Sequence, residues 1–225
     1  MSDRPTIAAA VDVLHSAFGP PASSVFDATW HRMVAELTLG AQQTQHVERL
    51  RWAFADTVLA SPALTASAAV GQLAEALSPL PRAANKAPVV LALAKWWVNT
   101  FGDELSPTWH RDVQQDRLEL RQIRGLGPET ADRLLLFGAN RPVFPVDRGA
   151  LRVAVRHGWL DLPVDDEDAQ ALFRSATGGE VQMMQLLARW LHRIGETQCG
   201  RVPNCAGCPL EPLLPPGGPI DADRC

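Results

Sequence analysis

Tyrosine is missing from all 225 residues, so aromatic stacking falls to Trp, Phe or His. Lysine is scarce: of 21 basic residues only Lys86 and Lys95 are lysines, and the rest are arginines. Chemistry that needs a side-chain amine has just these two candidates. Positive charge is not in excess. The net charge of −4 excludes a uniformly basic nucleic-acid binder but leaves room for a local basic face. Long apolar runs are lacking as well. The longest, Ala87 to Val98, is interrupted by Lys95 and is too short to span a bilayer. The opening MSDRPTIAAA sets acid beside base and has no signal-peptide core. A soluble, cytoplasmic chain without a membrane partner is expected. Cysteine is absent before Cys199, after which Cys199, Cys205, Cys208 and Cys225 follow within the final stretch. Four thiols packed so closely in a cytosolic chain point to a metal site rather than to disulfides.

What is present is helical periodicity. Hydrophobic residues make up 46% and charged residues 20%, enough to fill a sizeable core and too apolar for disorder. Ile7, Val11, Leu14 and Phe18 form one stripe; Trp30, Met33, Val34 and Leu37 a second; Val47, Leu50, Phe54 and Val58 a third. Val181, Met184, Leu187, Trp190, Leu191 and Ile194 mark a long helix near the end. Ala87 to Phe101 is apolar nearly all round and predicts a central buried helix. Pro and Gly fall between the stripes, at 19–21, 78–81 and 102–107. No stretch alternates with period two. The fold class is all-α, with roughly ten helices.

The informative segment runs from Leu120 to Gly158. Leu120 and Ile123 close one helix, Gly125-Leu126-Gly127 makes a tight turn, and Pro128 opens the next helix, where its missing N–H costs little. Ala131, Leu134 and Leu135 face back. This helix-hairpin-helix pattern presents free N–H groups that can hold a phosphate without reading a base. Residues 111–158 carry nine arginines against six acids, a net of +3, which leaves −7 for the remainder. A basic island centred on such a turn favours a polyanionic partner. Beyond it, Arg141-Pro142-Val143-Phe144-Pro145-Val146-Asp147 is a proline-stiffened loop that delivers one carboxylate just before a helix at Arg148. Asp147 suits a helix N-cap. A capped aspartate is also ordered and ionised, as a catalytic carboxylate must be.

A hairpin, a proline-rich loop and an aspartate in this order, followed by clustered cysteines, resemble the endonuclease III branch of the helix-hairpin-helix DNA glycosylase superfamily. Ala41-Gln42-Gln43-Thr44 resembles that branch's AQ(A/Q)T segment, and Asn85-Lys86-Ala87 its SKA/NKA segment. Gly195 stands four residues before the first cysteine, as the family's glycine does. The resemblance spans roughly residues 25–208.

The resemblance implies two helical domains flanking a DNA-binding cleft. One is a helical barrel, 23–141, that includes the hairpin at about 118–138. The other is discontinuous, 1–22 with 142–225, and carries the cysteine cluster at 199–225. It implies damaged DNA as partner, a nucleotide turned out of the stack into a pocket, and a monomeric enzyme. Asp147 matches the aspartate that stabilises the positive charge developing on the sugar. Gln42 matches the residue that fills the gap left by the flipped base. With the hairpin residues Arg124, Gly125, Gly127 and Arg133, and with Arg152, it completes the candidate DNA-contacting set. Arg201, in the first cysteine loop, is a further candidate for phosphate.

The sequence departs from the family at Glu129. Bifunctional members carry a Lys there, whose amine forms a Schiff base with the sugar and permits strand cleavage. A carboxylate cannot form an imine, and neither Lys86 nor Lys95 is near the hairpin in sequence. Glu129 in GPETAD, with Pro142-Val143-Phe144, looks instead like family versions that include removers of alkylated purines using water. Glu129 is therefore a second catalytic candidate, though a first-turn acid also complements the helix dipole. The adenine-removing relatives carry a Glu four residues before their QQT segment, where this chain has Thr38; Glu36 lies two residues further away. The cysteines, C-x5-C-x2-C-x16-C, match the family's C-x6-C-x2-C-x5-C at the first three positions. Four thiolates can hold zinc or an iron–sulfur cluster; the resemblance favours [4Fe-4S]. Three readings stay open: a monofunctional glycosylase, a bifunctional glycosylase and lyase on oxidised pyrimidines, and a DNA-binding module without catalysis.

Overall fold

The computed structural model describes residues 6–20, 25–40 and 45–220. Gln42, with its neighbours 41–44, and Cys225 lie outside the described residues. Among those described the structure is all-helical: it has no strand, and the one isolated bridge joins Cys199 to Pro203. No described helix is long and apolar enough to cross a membrane. The chain divides into two compact units, one made of Met1–Ala22 and Pro142–Cys225, the other of Ser23–Arg141.

The unit Ser23–Arg141 contains α2 (Thr29–Leu39), α3 (Val47–Asp56), α4 (Pro62–Ser67), α5 (Val70–Leu77), α6 (Ala87–Phe101), α7 (Val113–Arg121) and α8 (Pro128–Arg133). Helix α2 buries the whole stripe of Trp30, Met33, Val34 and Leu37. The core is aromatic. Trp97 meets Trp30 at 5.6 Å and Trp109 at 5.7 Å between ring centroids. Both buried indoles are satisfied, Trp30 Nε1 donating to Leu59 O at 3.2 Å and Trp97 Nε1 to Glu104 O at 2.9 Å. Helix α6 has the expected limits but is not buried all round. It buries Ala87, Val90, Leu93, Ala94 and Trp97, while Pro88, Lys95 and Asn99 are exposed. Lys95 and Asn99 are one turn apart, so together they mark a wet face that the surrounding apolar residues hide from inspection.

In the hairpin, α7 ends at Arg121 and the chain turns through Gly125 at φ +98. That left-handed angle favours glycine, and an added Cβ would come within 2.8 Å of Val89 Cγ2. Leu126 is buried behind the turn, and Pro128 opens α8 as expected. Past Arg133 the helix widens into a π turn, Leu134–Gly138, with three leucines and Gly138 buried. This places the Ala139 N–H on the Leu134 carbonyl at 3.1 Å and the Arg141 N–H on the Leu135 carbonyl at 2.8 Å.

The second unit is built from α1 (Ile7–Phe18), α9 (Arg148–Arg156), α10 (Asp166–Ala176) and α11 (Val181–Thr197). Helix α11 packs against α9 and α1, and α1 against α10. Phe144 and Phe173 stack at 4.1 Å. Helices α9 and α11 approach through glycines: a Cβ on Gly195 would lie 2.6 Å from Gly149 Cα. This contact brings the first turn of α9 directly against α11 and sets the register of everything near Asp147.

Candidate active site and cysteine cluster

Asp147 caps α9. Its Oδ1 accepts from the Ala150 N–H at 2.6 Å. Its Oδ2 lies 2.9 Å from His192 Nδ1, on α11. An ionised carboxylate only accepts, so the ring proton sits on Nδ1. The Asp147 side chain is 19% exposed. Burial pushes its carboxyl up, but the bond from His192, the Ala150 N–H, the charge of His192 and the Gly149 N–H together outweigh it. The net result is a carboxyl below its ordinary range. Asp147 is therefore partly desolvated, fixed at both oxygens and ionised. It can stabilise a cation that forms beside it.

The hairpin carries its own charge arrangement. Arg133 donates to Glu36 Oε1 through Nε at 2.9 Å and also through Nη2, and its Nη1 is 3.5 Å from Glu129 Oε1. Glu36 is buried, whereas the Glu129 side chain is 41% exposed at the first turn of α8. Burial opposes the charge of Arg133, but Glu36 and then Glu129 outweigh it and raise the guanidinium above its ordinary value. Lys86 belongs to the same group. Its Nζ donates to Leu37 O at 2.6 Å. Burial lowers the ammonium, Arg133 lowers it further, and Glu36 partly offsets both. The fold thus brings Lys86 near the hairpin helix, although sequence separates them.

Most of the basic island is engaged internally, four of its nine arginines with carboxylates. Arg111 pairs with Asp116 and Glu119, and Arg117 with Asp132 at 2.8 Å, joined by Arg121. Arg141 donates to the carbonyls of Trp109 and Arg111. In the other unit Arg152 Nε donates to Cys199 O at 2.9 Å and its Nη2 to Gly195 O at 3.3 Å. Arg156 donates to Cys199 Sγ at 3.2 Å, Gly200 O at 2.7 Å and Arg201 O at 2.8 Å. Arg124, beside the glycine turn, and Arg148 are the exposed members of the nine. Of the candidate DNA-contacting arginines, Arg124 is thus at the surface, while Arg133 and Arg152 are engaged inside their own units.

Cys199, Cys205 and Cys208 line one cavity with Arg156, His157 and Leu214. Cys199 is buried and the other two are partly buried. Burial raises the Cys208 thiol, and Cys205 and Cys199 raise it further once ionised. Among the described residues, no three His, Cys, Asp or Glu side chains gather closely enough to hold a metal ion. His157 is buried behind the cavity, with Nδ1 2.8 Å from Val153 O and Nε2 3.2 Å from Leu210 O.

No family model matches the chain. A trapped endonuclease III–DNA covalent intermediate superposes on 91% of this chain and 92% of that one, with a TM-score of 0.65 at 19% identity. The chain has the endonuclease III fold. A thermostable thymine-DNA glycosylase shares this endonuclease III fold, covering 92% of this chain and 94% of that one, with a TM-score of 0.64 at 15% identity. Two sequence relatives are similar over about half of the chain. DEMETER-like protein 2 of Arabidopsis thaliana is 32% identical over 121 residues, 46% of this chain and 9% of that protein. A Methanocaldococcus jannaschii protein named for DNA repair glycosylase activity is 25% identical over 128 residues, 56% of this chain and 58% of that one. The match therefore spans less than two thirds of either relative.

Within the endonuclease III fold, three residues escape the sequence reading: His192, Glu36 as the buried partner of Arg133, and Lys86 as its neighbour. For His192 the available signal is spacing, because it lies one helical turn before Gly195, the residue that carries the close helix crossing.

Proposed function

We propose that the chain is a monomeric DNA N-glycosylase of base excision repair, which turns a damaged nucleotide out of the duplex and hydrolyses its glycosidic bond without cutting the strand. The observation that carries this reading is the doubly held, ionised Asp147 carboxylate in an endonuclease III fold. As the base departs with the bonding electron pair, positive charge develops on the sugar, and Asp147 stabilises it. The oxygen of water then bonds to the sugar carbon, and a proton passes to the departing base. Glu129 stands where lyases carry an amine; it can accept a proton from water but cannot form an imine. The Gly125–Gly127 turn, Arg124 and Gln42 contact the DNA. Arg133 and Arg152 contribute through the hairpin and the cysteine loop that they hold in shape.

Cys199, Cys205, Cys208 and Cys225 would hold a [4Fe-4S] cluster. Three of these thiols line one cavity, and four thiolates are the ligand set such a cluster takes. The cluster would tie the C-terminal loop to α9 and α11.

One observation favours a second reading. Lys86 is partly desolvated beside Arg133, and a desolvated amine is a better nucleophile than a solvated one. Lyase chemistry through Lys86 would make the chain bifunctional.

The test is a panel of duplexes carrying 1,N6-ethenoadenine, 3-methyladenine, hypoxanthine or thymine glycol, incubated with the protein and analysed with and without alkali. Base release with strand breaks only after alkali supports the proposal. Strand cleavage without alkali that is lost in Lys86→Arg supports the second reading. DNA binding without release of any base overturns both.

A further inference from the structure

We infer that His192 is a positioning residue for Asp147 and makes excision depend on the protonation of its ring; the inference rests on the glycosylase reading above. The helix cap does not require this histidine. Capping is complete with Oδ1 on the Ala150 N–H at 2.6 Å, and it leaves Oδ2 free to rotate toward solvent. His192 Nδ1 holds Oδ2 at 2.9 Å and so fixes the plane of the carboxylate. The Gly149–Gly195 crossing makes this possible, because it brings α11 against the first turn of α9 one turn after His192. The arrangement costs both helices their side chains at the crossing.

The ring is flanked by two carboxylates. Asp147 faces Nδ1, and Glu196, one turn further along α11, has Oε1 3.6 Å from Nε2. The N–H groups of Gly149 and Ala150 face the same carboxylate from α9. Helix α1 meets α11 through other residues, His15 on Trp190 and Phe18 under Arg193. With 44% of its side chain exposed, His192 can exchange its second proton with solvent.

Two states follow. Neutral His192 donates from Nδ1 and leaves Asp147 its full negative charge. Protonated His192 forms an ion pair that cancels part of that charge, just where the sugar cation needs it. Excision is therefore fastest when the ring is neutral and falls toward acid as the ring takes up a proton. A histidine titrates in the range of about pH 5 to 8, where carboxylates do not ordinarily change charge.

The experiment is single-turnover excision by the full chain on the panel duplex that the wild type processes fastest, from pH 5 to 8. His192→Ala should lower the rate about tenfold at neutral pH, a size common for residues that orient a reactive group, with DNA affinity unchanged. His192→Asn places an amide N–H where Nδ1 was and does not titrate. It should recover most of the rate and lose the decline toward acid that the wild type shows. A wild-type rate in His192→Ala, or a wild-type pH profile in His192→Asn, overturns the inference while leaving the glycosylase reading intact. A wild type that releases no base from any duplex overturns both.

Discussion

Gly149 and Gly195 touch backbone to backbone. A Cβ on Gly195 would fall 2.6 Å from Gly149 Cα, and one on Gly149 would fall 3.1 Å from Asp147 Oδ1 and 3.2 Å from Gly195 Cα. The pair joins the packing of α9 on α11 to the position of the Asp147 carboxylate. Gly195→Ala should force the helices apart and cost about 2 kcal/mol, as overpacking does. Gly149→Ala should crowd Asp147 as well, lowering both the unfolding midpoint and the excision rate. Thermal melts and single-turnover rates check this; wild-type melting of both variants would contradict it.

The two hairpin arginines should behave differently. Arg133 pairs with buried Glu36, so Arg133→Ala removes the guanidinium that balances this carboxylate and should destabilise the chain by about 3 kcal/mol. Adding Glu36→Gln should restore much of that loss. Arg124 is exposed beside the turn. Arg124→Ala should leave stability alone, weaken binding to all DNA sequences alike and reduce the salt slope by about one. Urea titrations and binding isotherms at several salt concentrations separate the two. An unchanged salt slope in Arg124→Ala would remove the hairpin from the DNA interface.

Much of this fold is legible in the sequence because helical stripes need only local spacing. The stripes at Ile7, Trp30 and Val181 become α1, α2 and α11. The Gly-Leu-Gly-Pro turn is equally readable, since few residues tolerate φ +98 at Gly125. The partners of charges are not readable, because they depend on which helices cross. The basic island looks free in sequence, yet Arg117 finds Asp132 across the hairpin and Arg133 finds Glu36 on another helix. His192, and the nearness of Lys86 to Arg133, escaped for the same reason. The π turn at Leu134–Gly138 has no local mark, because leucines serve an ordinary helix equally well.

The cysteines make a separate prediction. Purified protein should be brown, with about four irons per chain. Ser at Cys199, Cys205 or Cys208 should remove the colour and lower the unfolding midpoint. Metal analysis finding stoichiometric zinc and no iron would contradict the assignment.

Acid should weaken the fold around Asp147 in a defined direction. Its carboxyl lies below the ordinary range in the folded chain, chiefly because His192 and the α9 N–H groups outweigh burial. Such a group contributes stability that is complete above its unfolded value, about 3.9, and is lost as pH falls through the folded value. The stability gap between wild type and Asp147→Ser, which keeps a capping oxygen but cannot titrate, should close as the pH falls below about 4. Urea midpoints across that range check it; a gap indifferent to pH would contradict it.

The most direct test of the account compares wild type with Asp147→Asn in single-turnover excision, with borohydride present in a parallel reaction. Asn can still cap α9 but carries no charge for the sugar cation. The account predicts that wild type releases the base, leaves a strand cut only by alkali and traps no protein on DNA. It predicts that Asp147→Asn folds, binds DNA with wild-type affinity and releases nothing. Efficient borohydride trapping by the wild type, or excision by Asp147→Asn at the wild-type rate, would contradict it.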